Sequence, residues 1–167
     1  MSEILELKKK RVELAKANSN FESLKNQTFS LRSGSTPNAL RRKLRNDDGI
    51  NIIAEIKRAS PSKGVINENI DVAELAKAYE NGGAVAISVL TEEDRFRGSL
   101  ADLKTVSRNV SIPVLRKDFI FDEFQVYEAA AAGADVILLI VAMLDDKQLF
   151  RLRRLIEDEL KLDALVE

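Results

Sequence analysis

The sequence predicts an α/β fold with a parallel sheet, and three observations support this prediction. Five short, almost continuously apolar segments alternate with longer segments of helical periodicity. The apolar segments begin near residues 51, 84, 112, 135 and 163, and a spacing of roughly 23 to 33 residues suits one strand, one helix and two short loops. No GxGxxG motif follows the first segment, which favours a (β/α) barrel over a dinucleotide-binding sheet. Because a complete barrel has eight strands and about 250 residues, the predicted fold is a partial (β/α)8 TIM barrel of about five parallel strands.

The five predicted strands are aliphatic along almost their whole length. They read NIIAEIK, AVAISVL, IPVLRKDF, DVILLIV and LDALVE in chain order. A parallel strand that is covered on both faces has this composition, whereas a half-exposed strand alternates apolar and polar residues. Gly82, Gly83 and Gly133 stand where the intervening helices are expected to end.

A helical extension is predicted before the barrel, over residues 1–49. Residues 2–17 have the spacing of a charged amphipathic helix. A second short helix is predicted over 38–45, after Pro37 and before a turn in the segment NDDG at 46–49. The domain assignment is therefore an N-terminal helical extension, 1–49, followed by strands one to five of a partial barrel, 50–167.

The composition limits the chemistry and the partners of the protein. The 26 Lys and Arg residues nearly balance the 27 Asp and Glu residues, so no overall field favours a nucleic acid or a membrane. The sequence has no cysteine and no histidine, which removes thiol chemistry and the commonest general base and metal ligand. Catalysis is therefore expected to use Lys and Glu. The sequence shows neither a signal peptide nor an apolar run of membrane-spanning length, so a cytoplasmic location is expected.

Charged residues at the carboxyl ends of the predicted strands are the candidates for function, because that end of a barrel carries the active site. In the first strand, Glu55 and Lys57 share one face by the period of two. The loop RASPSKG follows, and it offers the Ser60 hydroxyl, backbone NH groups and the positive charges of Arg58 and Lys63 to an anion. The alternatives are an edge strand with a solvated face and an ordinary polar turn.

The third and fifth predicted strands end in a similar way. Lys117 and Phe119 lie on one face, which places an ammonium group beside an aromatic ring. A lysine beside an apolar wall loses solvation, and this favours its neutral form and assists proton transfer near neutral pH. Leu165 and Glu167 are also two residues apart, so Glu167 is expected at the same mouth. The competing interpretations are a surface pair of Lys117 with Asp118 and a disordered chain terminus at Glu167.

Three further apolar residues are candidates for the walls of the site. Leu138 and Ile140 of the fourth strand would form a floor under a substrate ring, although core packing also explains them. Phe96 lies in the loop TEEDRFRGS after the second strand, where it either covers the site or packs within the loop.

Four segments together resemble one enzyme family. AEIKRASPSKG (54–64), AISVLTEEDRFRGS, PVLRKDFIFDEFQVYEAAAAGAD and the final LVE (165–167) occur in the order found in the indole-3-glycerol phosphate synthase family of tryptophan biosynthesis. The resemblance covers about residues 50–167, and the preceding residues fit the family's extra N-terminal helices. It implies a carbon–carbon lyase (carboxy-lyase) that uses no metal or organic cofactor and acts on a small phosphosugar carrying an anthranilate ring.

The reaction implied by the resemblance is a ring closure. The substrate 1-(2-carboxyphenylamino)-1-deoxyribulose 5-phosphate loses carbon dioxide and water to give indole-3-glycerol phosphate. By motif, Lys117 would be the general acid that protonates the ribulose carbonyl, and Glu167 the general base for the loss of water. Glu55 would orient Lys117 or substrate hydroxyls. Lys57 would belong to this catalytic group and, with Ser60, would also hold the substrate's carboxylate or phosphate. The implied wall around the anthranilate ring consists of Phe96, Phe119, Leu138 and Ile140.

The family pattern continues past LVE with three more strands and a Gly-rich phosphate site, which these 167 residues do not contain. We therefore expect this chain alone to be inactive or nearly so, and its open strand edges to promote self-association. The alternative function is that of a non-catalytic partial barrel, which assembles with itself or with a complementary C-terminal piece. Phosphoribosylanthranilate isomerase, another phosphosugar barrel, is disfavoured because its chemistry uses cysteine and aspartate.

Overall fold

A partial barrel of parallel strands is the central feature of the computed structural model, which describes residues 2–45 and 49–167. The described strands are β1 (Ile53–Ile56), β2 (Ala59–Ser60), β3 (Gly64–Val65), β4 (Ala86–Leu90), β5 (Val114–Lys117), β6 (Val136–Leu139) and β7 (Asp163–Val166). Five of them form one sheet in the order β1-β4-β5-β6-β7, in which every neighbouring pair is parallel. β2 and β3 form a separate antiparallel hairpin. The predicted α/β class and partial TIM barrel are confirmed.

Seven α-helices surround this sheet in the described part of the chain. They are α1 (Ser2–Ala17), α2 (Phe21–Arg32), α3 (Ala39–Lys43), α4 (Val72–Asn81), α5 (Leu100–Asn109), α6 (Glu123–Ala131) and α7 (Asp146–Arg154). A 3-10 turn (Val141–Met143) precedes α7, and a π-helical turn (Leu155–Glu159) extends it. From α4 onward, each helix connects two neighbouring strands of the sheet. None of the described helices is both long enough and apolar enough to cross a membrane.

The four connecting helices begin at side chains that accept hydrogen bonds from the first free backbone NH groups. The N-cap residues are Asp71, Ser99, Asp122 and Asp145. Asp122 and Asp145 form reciprocal capping boxes with Gln125 and Gln148. These caps set where each helix leaves the loop that follows the preceding strand, and those loops carry several of the residues predicted to form the site.

The sheet separates the apolar residues into an inner and an outer cluster. The inner cluster contains Leu115, Val136 and Leu138, and Leu40 of α3 closes it at the amino ends of the strands. The outer cluster packs the other face of the sheet against the helices, with Ile87, Val89, Ile137 and Leu139 among its fully buried members. Residues two apart therefore share a face, as the strand period predicts.

The predicted strand starts lie within two residues of the observed ones. The helix predicted over 2–17 is α1, and the helix predicted over 38–45 is the shorter α3. The turn predicted at 46–49 falls mainly on residues 46–48, which lie outside the described residues. Helix α2 was not predicted. It is stabilised by tertiary contacts, since the ring of Phe21 lies 5.9 Å from that of Phe124 and 5.5 Å from that of Tyr127 in α6.

Gly98, in the loop after β4, packs closely against the backbone of that strand. A Cβ atom at this position would overlap the backbone carbonyl of Leu90, the last residue of β4. We predict that Gly98→Ala lowers the free energy of unfolding by about 1–3 kcal/mol, the usual cost of forcing an extra methyl group into packed structure. Urea unfolding measures the change. Gly34→Ala is the control, because its Cβ would meet no atom within 4 Å. Equal urea midpoints for the two variants would contradict the prediction.

Candidate active site

A lysine–glutamate–lysine cluster lies at the carboxyl ends of β1 and β5. Lys117 donates from Nζ to Glu55 Oε2 at 2.9 Å, and Lys57 donates from Nζ to Glu55 Oε1 at 2.6 Å. β4 separates β1 from β5, so the Lys117–Glu55 contact crosses the inner side of the sheet. The side chain of Lys117 keeps 37% of its exposure and has a carboxylate partner, so it is less desolvated than the sequence predicts.

An apolar pocket opens beside this cluster. Six of the nine predicted site residues line it, namely Phe96, Lys117, Phe119, Leu138, Ile140 and Glu167. The remaining lining residues are Leu90, Glu92 and Asp118. Glu167 reaches the pocket because its backbone continues the pairing of β6 and β7, with its NH bonded to Leu139 O at 3.0 Å. The pocket thus combines the ammonium group of Lys117, the carboxylate of Glu167 and two aromatic rings.

Ser60 lies outside the lining of this pocket, in the β2–β3 hairpin. Its Oγ accepts a hydrogen bond from the backbone NH of Lys63 at 3.2 Å. The hairpin is joined to the loop after β4 by a hydrogen bond from Ala59 N to Phe96 O at 3.2 Å. Arg58, which the sequence offers as a positive charge for an anion, pairs with Asp102 of α5 instead. Anion binding by Ser60 and Lys57 stays a prediction.

The carboxylate of Glu55 is held in its charged form by its two lysine partners. Burial alone would raise the pKa of Glu55, but the hydrogen bonds from Lys57 and Lys117 outweigh burial and lower it below its ordinary value. A lowered carboxylate pKa means that the ion pairs stabilise the folded state at neutral pH and are lost as the pH falls through that value. Glu55 is therefore suited to orient Lys117 rather than to supply a proton itself.

The residues that alternate with Lys117 and Phe119 point to the outer face and form a buried ionic cluster. Arg116 and Asp118 have side-chain exposures of 1% and 0%, and Arg116 Nη2 lies 3.0 Å from Asp118 Oδ2. Lys8 of α1 places its Nζ 2.7 Å from the same oxygen. The surface pair of Lys117 with Asp118, considered from the sequence, is therefore wrong, because Asp118 is buried among other cations.

This ionic cluster is fully hydrogen-bonded. Thr91 Oγ1 donates to Asp118 Oδ2 at 2.6 Å, and Arg116 Nη1 donates to Glu128 Oε2 at 2.9 Å. Burial by itself would raise the pKa of Asp118, but Arg116 and Lys8 outweigh it and the pKa lies below its ordinary value. The cluster locks the chain on either side of Lys117.

Sequence reasoning missed Glu92, Arg116 and Asp118. The last two carry a recognisable signal, since they alternate with Lys117 and Phe119 and so occupy the helix-facing side of a buried strand. Glu92 carries none, because nothing in TEED distinguishes the buried first acid from Glu93 and Asp94.

A larger cavity, of about 550 Å³, lies near the opposite ends of the strands. Its lining includes Arg42, Lys43, Ser111, Pro113 and Asp135 and none of the predicted site residues. Chemistry rather than size therefore identifies the pocket beside Lys117 as the candidate active site.

The two lysines make a testable contribution to the charge of Glu55. We predict that Lys117→Met raises the pKa of Glu55, because the variant removes one hydrogen bond and one positive charge from the carboxylate. Carbon-13 NMR titration of the Glu55 carboxyl measures the change. The control is Lys147→Met, in the exposed first turn of α7, which should leave the titration unchanged. An unaltered Glu55 titration in Lys117→Met would refute this account of the cluster.

Comparison with known proteins extends these observations to the whole chain. The family model described as indole-3-glycerol phosphate synthase matches residues 1–167. Relatives named indole-3-glycerol phosphate synthase include one from Leifsonia xyli subsp. xyli, which is 61% identical over 72% of this chain and 46% of its own length. One from Rhodococcus jostii is 60% identical over 72% of this chain and 45% of its own length. One from Desulfotalea psychrophila is 47% identical over 100% of this chain and 64% of its own length.

The chain thus spans less than two thirds of the length of the curated relatives that it matches. The match nevertheless includes the strands, the loops and the pocket described above. The chain belongs to the indole-3-glycerol phosphate synthase family.

Proposed function

We propose that this chain carries the part of an indole-3-glycerol phosphate synthase active site that contains the catalytic lysine. The observation that supports the proposal best is that Lys117, which is paired with Glu55, lines the same apolar pocket as Glu167. The reaction is the ring closure of 1-(2-carboxyphenylamino)-1-deoxyribulose 5-phosphate, with loss of carbon dioxide and water. The enzyme would be a carboxy-lyase of tryptophan biosynthesis, and its cytoplasmic location stays a prediction from the sequence.

Ring closure needs a proton at the ribulose carbonyl. As the ring carbon that bears the carboxylate attacks this carbonyl, its oxygen gains negative charge and must be protonated. Lys117 would supply the proton from Nζ, which Glu55 holds in place at 2.9 Å. The new carbon–carbon bond then allows the carboxylate to leave as carbon dioxide, and its bonding electrons return to the ring system.

Loss of water completes the indole ring. The hydroxyl made in the first step takes up one proton and leaves as water, while the adjacent carbon that bears the nitrogen loses one proton as the carbon–carbon double bond forms, so the protons balance. Glu167 would accept that proton, since it lines the pocket after β7 while Lys117 lines the pocket at the end of β5. An ammonium donor and a carboxylate acceptor would therefore face the same substrate.

The remaining residues would bind rather than react. Phe119, Leu138 and Ile140 present an apolar surface to the anthranilate ring, and Phe96 covers it from the loop after β4. Lys57 would hold an anionic group of the substrate together with Ser60, across the short distance between β1 and the hairpin. These residues call for no metal or organic cofactor in the proposed steps.

Lys117 can be tested in a completed barrel. We would join residues 1–167 to the part of the Desulfotalea psychrophila relative that follows the matched segment. Ring closure by this chimera is the expected result, and Lys117→Ala should lower kcat by roughly 100-fold to 10,000-fold, the range for loss of a general acid. Lys147→Ala, in the exposed first turn of α7, is the control and should retain activity. A folded but inactive chimera, or near-normal turnover in Lys117→Ala, would refute the proposal.

The alternative proposal is a non-catalytic partial barrel that self-associates. β1 and β7 are the edge strands of the described sheet, and Ile52 beside β1 and Val166 of β7 are 55% and 45% exposed. Unpaired edges with apolar neighbours favour pairing with another chain. Sedimentation and turnover of the 167-residue chain, with its intact mass verified, separate the two functions. Measurable ring closure by this chain would show that its expected inactivity is wrong.

A further inference from the structure

The side chain of Glu92 closes the loop that follows β4. It is fully buried, and its carboxylate accepts three backbone hydrogen bonds. Oε1 accepts from Asp94 N at 2.9 Å, while Oε2 accepts from Arg95 N at 2.7 Å and from Phe96 N at 3.0 Å. The backbone carbonyl of Glu92 also accepts from Gly98 N at 2.8 Å. One residue thus organises the whole segment from 92 to 98.

Glu92 differs in its partners from the two acids that follow it. Glu93 pairs with Lys8 at 3.1 Å and Asp94 pairs with Arg11 at 2.7 Å, so both face α1. Within the part of the chain that the structure describes, no lysine or arginine pairs with Glu92. A buried carboxylate is costly without compensation, and here the compensation comes entirely from backbone NH groups. The conformation of the loop and the burial of Glu92 therefore depend on each other.

The loop organised by Glu92 supports two parts of the candidate site. Its Phe96 ring lines the pocket beside Lys117. Its Phe96 carbonyl accepts a hydrogen bond from Ala59 N at 3.2 Å, which docks the hairpin that carries Ser60. Phe96 N, on the other side of the same residue, is bound by Glu92. Glu92 therefore holds Phe96, whose ring lines the pocket and whose backbone carbonyl binds the hairpin.

We propose that Glu92 is a positioning residue for substrate binding, which acts by holding Phe96 over the pocket and by anchoring the β2–β3 hairpin. The inference rests on the proposed function, in which Phe96 contacts the anthranilate ring and Ser60 contacts an anionic group. Both carboxylate oxygens are occupied by backbone donors, so Glu92 transfers no proton in the reaction. Its removal should weaken binding of the ground state and the transition state alike, which raises KM and leaves kcat nearly unchanged.

The test uses Glu92→Gln in the completed barrel. The substitution keeps the size of the side chain but removes its charge and one acceptor oxygen, so the three NH groups cannot all remain bound. KM should rise roughly tenfold to 100-fold, as expected for losing charge-assisted hydrogen bonds, and kcat should change less than about threefold. The matched control is Glu93→Gln, which alters the neighbouring acid on the α1 side and should leave KM unchanged. An unchanged KM in Glu92→Gln would overturn the proposal.

A double-mutant cycle shows whether Glu92 acts through Phe96. Phe96→Ala should itself raise KM, and adding Glu92→Gln to it should raise KM by a smaller factor than adding it to the unaltered chimera, because the ring to be positioned is gone while the backbone carbonyl at position 96 still docks the hairpin. A merely structural role for Glu92 would instead lower the active fraction, which reduces apparent kcat and adds fully in the Phe96→Ala background. Full additivity of the two effects on KM would therefore overturn the proposed route.

Hydrogen exchange tests the three backbone hydrogen bonds to Glu92 without any assay of ring closure. The amides of Asp94, Arg95 and Phe96 should exchange slowly in the unaltered protein and at least about tenfold faster in Glu92→Gln, while the amides of β5 and β6 keep their protection. Faster exchange confined to these amides supports the role of Glu92 in holding the loop even if the chimera proves inactive. A failure of the proposed function can therefore be distinguished from a failure of the positioning role. Unchanged exchange at all three amides would overturn the positioning role.

Discussion

The buried pair of Arg116 and Asp118 is the interaction on which the rest of the structure depends. Charges that are removed from water must be paired and hydrogen-bonded, and removing one partner of a buried pair typically costs about 3–5 kcal/mol. Arg116 of β5 meets this requirement through three parts of the chain. It bonds to Thr91 in the loop after β4, to Asp118 in the loop after β5, and to Glu128 and the carbonyl of Gln125 in α6. The central strand of the sheet, the loop after it and the next helix are thereby held in one arrangement.

Helix α1 is attached to the same arrangement by charge rather than by apolar packing alone. Lys8 reaches Asp118, Arg11 reaches Asp94, and Lys16 reaches Asp122 at the N-cap of α6. These three contacts lie on the loops that follow β4 and β5, which also carry Phe96 and Phe119. Exposed ion pairs contribute little stability, so the buried contact of Lys8 matters most for the position of the helix.

Sequence periodicity was sufficient to place the residues of the candidate site that belong to strands. The period of two placed Lys117 and Glu55 on inner faces, and the order of strand ends brought Phe119, Leu138 and Glu167 to one pocket. It failed where the structure depends on contacts between distant segments. Helix α2 is held by Phe21 against α6, and Glu92 is buried by a loop whose path is not encoded in a repeat.

Local composition also misled in two specific cases. Asp118 beside Lys117 suggested a simple surface pair, but neighbouring residues of a strand point to opposite faces and so do not meet. Arg58 suggested a free positive charge in the RASPSKG loop, but Asp102 at the first turn of α5 binds it. Both errors have one cause. The partner of a charged residue can be identified only when the position of the helix or strand that carries the partner is known.

The alternation of inward and outward side chains at the end of β5 restricts insertions and deletions in this segment. Arg116 and Asp118 serve the helices, while Lys117 and Phe119 serve the pocket. Inserting or deleting one residue here would exchange the two sets, so that both the ionic cluster and the pocket would lose their members at once. The length of the segment from 114 to 119 is therefore fixed by two sets of side chains at once, and length variation among homologues should be confined to the outer loops.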